Sequence, residues 1–442
     1  MKKWSSIALV LVILVTTAGL AFAACGGGEP TGDETQKVRL SWAYPITPGY
    51  FGSPSSESSY YYFEEAVETV TEGRIDIELY PSETLNKQEL AYDAVKSGIA
   101  DIAWGITSYS PEWVPEDLVF YLPLDMESCE MNYQVKMFLN DEYAKDAYAE
   151  RDLIHATCLG REAYIVFSPR HPLYRLEDFE GRTIMTSGRS MEELISRLGA
   201  LSITINWQDA YEALEKGTLD LSALDITLPM AFRWYEVGDP GYIIDVGGIG
   251  NAKPDYFVRT DFMERFRPED AYAMVKLLDV WLGARSSIWS DGSNILYWEE
   301  VPKVGMEFID WEESEKERLR EVKEEVYFDW FPQWLEDKYG VPEDEALEYL
   351  DAVLEAMDNF ERGNVPPGNP ASYPEQWMWD MLNDHGYTMD EDIWDEWTGP
   401  DGHWGMDYVY MEGWEPWYEE WWDDQGLGEH PWYAEWKAEH GQ

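Results

Sequence analysis

One eleven-residue phrase occurs twice in this chain. Ala91-Tyr92-Asp93-Ala94-Val95-Lys96-Ser97-Gly98-Ile99-Ala100-Asp101 is echoed by Ala210-Tyr211-Glu212-Ala213-Leu214-Glu215-Lys216-Gly217-Thr218-Leu219-Asp220. Each copy has an apolar helical face, then a glycine, then a short apolar step into aspartate. A glycine just past the last periodic residue supplies the left-handed cap that stops a helix. Strand-like residues follow both copies, Ile102-Ala103-Trp104 and Leu221-Ser222-Ala223-Leu224. Two amphipathic helices can resemble each other by chance. A true repeat predicts one helix–glycine–strand unit in each of two α/β lobes, an architecture for gripping a small ligand between them.

The rest of the pattern alternates between the two periods. Lys37 to Trp42 and Arg74 to Tyr80 alternate as strands, with an extended loop from Tyr44 to Ser59 and a helix from Tyr61 to Val70. Helix is predicted from Asn132 to Glu150, and a strand from Asp152 to Leu159 that crosses toward the second lobe. Tyr164–Ser168 and Thr183–Thr186 read as strands, Ser190–Leu198 as a helix, and Tyr256–Val258 as a strand returning to the first lobe. From Pro268 to Phe360 the pattern is nearly all helical. Strands alternating with helices argue for α/β lobes with mainly parallel sheets.

The chain carries 87 acidic against 32 basic residues, a net charge of −55. Such a surface repels nucleic acid and anionic lipid headgroups. Lys2 and Lys3 precede an apolar run, Ile7 to Val15, that is too short for a permanent span. Ala21-Phe22-Ala23-Ala24-Cys25 then resembles a bacterial lipobox, which predicts cleavage before Cys25 and lipid on its sulfur. An ordinary signal peptide with an incidental cysteine is the alternative. Cys129 and Cys158 have no metal or redox spacing, and either buried thiols or a disulfide would suit an exported protein. Beyond the linker Asn364–Pro370 lies an acidic tail dense in tryptophan, including Trp394, Trp397, Trp421, Trp422 and Trp436. Disordered tails are poor in aromatics, so this one is expected to pack on its own domain or on a partner or polysaccharide.

From about Val38 to Phe360 the chain resembles the substrate-binding subunits of tripartite ATP-independent periplasmic (TRAP) transporters, of the DctP type. Carrying the resemblance are Gly73–Ser82, the first repeated helix, Leu122-Pro123, Leu176–Gly181, Leu198–Ala200, Trp207–Asp220, Tyr235–Val237 and Trp311–Lys316. It implies a two-lobed periplasmic-binding-protein-like α/β fold with a helical C-terminal region. It also implies capture of a small organic acid between the lobes and delivery to a TRAP-type membrane permease. The division expected is a lipoprotein signal peptide (1–24), a tether (25–37), lobe I (38–158) and lobe II (159–250). Residues 251–362 complete both lobes, and 363–442 form the extension. The protein would sit outside the cytoplasm, attached to the cell membrane by its lipid.

The family's second lobe holds a ligand carboxylate on a strand arginine just after an Asp-x-x-Gly turn. Counted from Gly181, Met185 stands there. Leu224 and Ile106 stand at two further positions where the family has polar residues, and Trp207 matches its aromatic before the second repeated helix. The resemblance thus implies an apolar, aromatic pocket suited to a bulky organic acid. The candidate anion anchors are Arg161 and Arg189, then Arg170 and Arg182. Trp104, Tyr44 and Tyr164 join Trp207 as aromatic candidates, any of which could equally be core.

The sequence gives little support for catalysis. There is no His-Glu-x-x-His, Gly-x-Ser-x-Gly or P-loop, and Gly247-Gly248-Ile249-Gly250 lacks the third glycine of a dinucleotide fingerprint. No catalytic residue, cofactor or metal site is expected. The alternatives are a cell-surface glycan-binding or adhesive lipoprotein using the tryptophan tail, and, behind it, a glycoside hydrolase using paired carboxylates.

Overall fold

Both copies of the repeated phrase make the same turn. In the computed structural model, Ile99 N–H donates to Ala94 O at 2.8 Å and Thr218 N–H to Ala213 O at 3.0 Å. The glycines between have φ of 71° at Gly98 and 69° at Gly217, the left-handed region that penalises any Cβ. The two aspartates then do one job. Asp101 N–H donates to Arg39 O, while the Asp101 carboxylate accepts Arg39 N–H at 2.9 Å. Asp220 N–H donates to Thr183 O, while its carboxylate accepts Thr183 N–H at 2.9 Å. Each aspartate pins the start of its strand to the neighbouring parallel strand. The likeness is therefore structural repetition.

The structure describes residues 35–43 and 59–361, apart from 206, 239, 267, 288–289, 291–293, 295–296 and 299. Cys25, Tyr44 and the tail beyond 361 lie outside the described residues, as does the side chain of Trp207. The strands are β1 (Gln36–Ser41), β2 (Ile75–Tyr80), β3 (Ile102–Gly105), β4 (Leu153–Cys158), β5 (Ile165–Ser168), β6 (Thr183–Met185), β7 (Leu201–Ile203), β8 (Leu221–Leu224), β9 (Tyr242–Asp245), β10 (Asp255–Arg259) and β11 (Glu307–Asp310). The helices that matter below are α1 (Ser59–Val70), α2 (Ala91–Lys96), α3 (Cys129–Tyr143), α4 (Arg189–Arg197), α5 (Trp207–Lys216), α6 (Pro268–Leu278), α7 (Glu313–Glu324), α8 (Phe331–Tyr339) and α9 (Glu343–Glu361).

Two sheets form the lobes. The first runs β2-β1-β3-β10-β4 and the second β7-β6-β8-β5-β9-β11. Their first five strands correspond one to one. In each sheet the first three pair in parallel, and the fourth, β10 or β5, runs antiparallel to both its neighbours. That reversed strand comes from across the hinge. The chain leaves β4 in the first sheet to enter β5 in the second, and leaves β9 in the second to enter β10 in the first. The two crossing segments are hydrogen-bonded to each other: Leu159 N–H to Pro254 O, Tyr164 N–H to Gly250 O and Ile249 N–H to Tyr164 O. The glycine run 247–250 is therefore a crossing segment.

Several sequence expectations need correction. The expected tether runs to residue 37, but β1 already begins at Gln36. The helix expected from Tyr61 begins at Ser59. The helical region after Pro268 contains β11, which adds to the second sheet beside β9. Its burial alternates weakly because an edge strand is covered on one side only, so the period of two is hard to see in the sequence. Helix 132–150 is broken at Ala144, whose φ of −121° leaves the helical region. Cys129 and Cys158 are buried thiols, and no disulfide joins them.

At the base of the first lobe lies a cluster of wholly buried charges. Lys253, on the second crossing segment, donates to Asp117 at 2.7 Å and to Asp255 at 2.7 and 2.8 Å. Lys136 of α3 donates to the other oxygen of Asp117. Two lysines against two carboxylates balance only if His155 stays neutral. Burial, then the nearby Lys136 charge, pushes the imidazole pKa down. Its Nε2 lies 2.8 Å from Asp255 and its Nδ1 has no partner, as expected of a neutral Nε2–H tautomer. Burial opposes the charge on Lys253, but Asp117 and Asp255 together raise its pKa. Removing one member leaves an uncompensated buried charge, which typically costs about 3–5 kcal/mol. Lys253→Met should therefore lower the urea-unfolding free energy by about that amount, and Asp255→Asn added to it should restore part of the loss. Equal midpoints for wild type and Lys253→Met would show that the cluster contributes nothing.

Candidate functional site

In open α/β sheets, ligands bind beyond the carboxyl ends of the strands. Here the segments following β3, β6 and β7 converge between the lobes. Ser108, Tyr109 and Pro111 follow β3; Gly188, Arg189 and Ser190 follow β6; Thr204 follows β7. With Leu118, Tyr121, Glu192 and three residues of α8's last turns (Trp334, Lys338 and Tyr339), they line a cavity of about 520 Å³. The lobes touch at its edge. A Cβ placed on Gly188 would lie 3.0 Å from Ser108 Cβ, and Gly188 has φ of 84°. Closure and backbone conformation both demand glycine there.

Behind the cavity the strand ends are apolar. Met185 ends β6 and sits beside Ser222 of β8, and Leu224 ends β8 opposite Ile165 of β5. Met185, Leu224 and Ile106 are all buried. Tyr164, on the first crossing segment, is buried with its hydroxyl 3.3 Å from Ser187 Oγ, which links the hinge to the segment after β6. Tyr121 donates to Lys253 O at 2.6 Å and accepts Thr107 N–H at 3.0 Å. The cavity floor thus rests directly on the buried charge cluster.

The other predicted residues divide. Arg189 lines the cavity; it pairs with Glu192 at 2.8 Å and lies over the Trp330 ring at 6.0 Å. Arg161 is buried on the crossing segment, where its carbonyl accepts Asn132 Nδ2 at 2.7 Å. Trp104 is in the first lobe's core, stacked on Trp42 at 6.1 Å and 7°. Arg170 donates to Glu215 O on the surface of the second lobe. Trp207 opens α5. Among the described residues no group of three or more His, Cys, Asp or Glu side chains is placed to hold a metal ion.

Sequence reading missed Trp334, Lys338 and Tyr339. A signal was present: Trp330, Trp334 and Lys338 are spaced by four, which sets them along one helix face. Trp330 and Trp334 stack at 5.1 Å and 14°, and Tyr339 meets Trp334 edge-on at 5.6 Å. Their position in the cleft depends on how α7, α8 and α9 cross the molecule. α7 packs on α4 in the second lobe, whereas α9 packs on α3 in the first. Lys323 of α7 pairs with Asp125 and donates to the carbonyls of Gly247 and Gly248 at 3.1 Å, and Tyr327 donates to Pro123 O. This helical run is thus tied to the hinge.

The hinge also carries a buried carboxylate that holds its proton tightly. Glu162 has its pKa pushed up to about 6, first by burial and then by the charge of Asp225. The Cys129 thiol donates to it at 3.0 Å, and this and the Arg161 charge oppose the rise only in part.

A family model for bacterial extracellular solute-binding proteins, family 7 (DctP), matches residues 52–333, more than half of the chain. The chain belongs to that family. The C4-dicarboxylate-binding periplasmic protein DctP of Rhodobacter capsulatus is 27% identical over 166 residues, 36% of this chain and 48% of that one. The chain spans about half the length of the curated relatives it matches. Among solved structures, a marine-metagenome TRAP solute-binding protein specific for aromatic acids, bound to 3-hydroxybenzoate, superposes with a TM-score of 0.65. Identity is 16%, covering 74% of this chain and 99% of that one. A TRAP solute-binding protein from Bordetella bronchiseptica with bound (R)- and (S)-mandelate gives 0.62 at 16% identity, covering 74% and 99%. At these identities the likeness establishes the fold, two α/β lobes of TRAP type.

Because Glu162 holds its proton more tightly folded than unfolded, its contribution is largest at low pH. Stability from this group falls as pH rises from the ordinary carboxylate range, about 4.5, to about 6. Glu162→Gln should flatten the fall over that window, by on the order of 1 kcal/mol relative to wild type. Unfolding midpoints measured at pH 4.5, 5.5 and 6.5 check this; parallel profiles for the two proteins would refute it.

Proposed function

We propose that this chain is an extracytoplasmic solute-binding protein that captures a small organic acid between its lobes and delivers it to a TRAP-type membrane permease. The observation that carries the reading is the cavity at the strand ends, bounded by both lobes and backed by paired crossing segments. Two rigid sheets joined by short crossings can change their relative angle while each stays intact, as in hinge closure around a ligand. Among the described residues the cavity's lining offers no arrangement of nucleophile, base and orienting group, and binding without turnover is the chemistry this lining supports.

The ligand class follows from the strand ends behind the cavity together with the rings that line it. Met185, Leu224 and Ile106 are buried there and offer no charged hydrogen bond, and such a bond is worth roughly 1.5–3 kcal/mol. A small dicarboxylate would lose the one that a strand-end arginine would give. An aromatic or otherwise bulky monocarboxylate recovers affinity through area burial and ring contacts, which add about 0.5–1.5 kcal/mol per aromatic pair. The marine-metagenome neighbour with 3-hydroxybenzoate fits this class. Calorimetry should show 3-hydroxybenzoate or mandelate binding more tightly than succinate, and Met185→Arg should shift the preference toward succinate by about tenfold, or about 1.4 kcal/mol. Tight succinate binding by the unmodified protein would sink the aromatic-acid reading. A chain ending at residue 361 should keep its affinity; loss of binding would instead bring the tryptophan-rich extension into the site.

We also propose a lipid anchor at Cys25, supported by the Ala-Phe-Ala-Ala-Cys run. No helix among the described residues is long and apolar enough to cross a membrane. Cys25→Ser should move the protein from the membrane fraction to the soluble extracytoplasmic fraction. Retention in the membrane fraction would rule the anchor out.

A further inference from the structure

We infer that the charge-reading anchor of the cleft is Lys338, at the end of α8, and that it replaces the strand-end arginine whose place Met185 occupies. The inference rests on the organic-acid reading above and assigns the part of the cavity that would hold the carboxylate. In this chain 87 acidic side chains face 32 basic ones, so basic groups on the surface generally find an acid. Lys338 lines the cavity, is exposed, and forms no ion pair among the described residues. Arg189, the other cation there, is already engaged. Its guanidinium pairs with Glu192 at 2.8 Å and lies over Trp330. The second Glu192 oxygen accepts the Thr204 hydroxyl at 3.3 Å. The Arg189–Glu192 pair is close to neutral, and the positive charge left over belongs to Lys338.

The same turn of helix supplies a wall of the right chemistry. Trp334 stands one turn before Lys338, and Tyr339 meets the Trp334 ring edge-on. Both rings are partly exposed and line the cavity. A flat acid laid against Trp334 would direct its carboxylate along α8 toward Lys338. A single ammonium, unlike a guanidinium, makes no bidentate fork, so this geometry selects one carboxylate at the end of an apolar body. The ligand class is an aromatic monocarboxylate.

A last-turn lysine also has an ordinary structural use, because it complements the helix C-terminus, here capped by Gly340 with φ of 79°. That role would not distinguish an anionic ligand from its neutral analogue. The test therefore compares 3-hydroxybenzoate with the uncharged 3-hydroxybenzamide by calorimetry on the full chain at low salt. Lys338→Ala should weaken 3-hydroxybenzoate about tenfold while leaving the amide within about twofold, and Lys338→Arg should keep the preference for the acid. Unchanged acid binding by Lys338→Ala overturns the inference and leaves the organic-acid reading intact. Equal weakening of acid and amide also overturns it, in favour of a purely structural lysine. If the wild type binds neither 3-hydroxybenzoate nor mandelate, the aromatic-acid reading fails and this inference with it.

Discussion

Lys253 is buried completely, and the first lobe is arranged around that fact. Its ammonium is satisfied by Asp117 and Asp255. Asp117 in turn holds Lys136 of α3, and Asp255 holds His155 of β4. One charged group thus connects a crossing segment, a helix and two adjacent strands. Charges buried this deeply are tolerated only when each is paired and hydrogen-bonded. The cluster therefore fixes where the rigid lobe ends and the hinge begins, since a shift of the second crossing segment would separate Lys253 from both partners. Tyr121 carries the constraint to the cleft, because the ring that lines the cavity also hydrogen-bonds Lys253 O and Asp255.

The second constraint is the helical run at the C-terminal side. α7 lies against the second lobe, α9 against the first, and α8 spans the gap where the cavity opens. Lys323 and Tyr327 fasten α7 and the turn after it to carbonyls on both sides of the hinge, those of Gly247, Gly248 and Pro123. A change in lobe angle must therefore be felt by the helices that present Trp334 and Lys338. The helical run that lines the cleft is joined to the hinge through a short set of hydrogen bonds. The raised pKa of Glu162, beside Asp225 and Cys129, places a titratable carboxylate in the same hinge.

Much of the architecture was legible in the chain. The repeated phrase determined two helix–glycine–strand units because local interactions fix them: an apolar helical face and a residue that must take positive φ; the aspartate that follows bonds a strand 62 or 37 positions away, which only the fold supplies. Its order of strands and helices determined the α/β class, and residues 52–333 carry the family pattern. The absence of catalytic motifs and the apolar Met185, Leu224 and Ile106 were readable too. The sequence also separated Trp104 and Trp207 from the other aromatics, but only by position, and Trp104 proves to be stacked in the core.

The tertiary structure decided what no local pattern encodes. The exchanged strands β5 and β10 run antiparallel because each enters its sheet from the other lobe, a property of the path between distant segments. β11 escaped notice because an edge strand half exposed to water lacks a clear alternation. Lys253, Asp117 and Asp255 look like ordinary surface charges in a chain with 87 acids; the Lys253–Asp117 pair spans 136 positions and exists only once the lobe is built. Lys338 and Trp334 likewise share a helix face in the sequence, but only the crossing of α8 between the lobes turns that face toward a cavity. Short-range order came from propensity and capping; the site came from long-range packing, where the partners of a side chain are set by the whole fold.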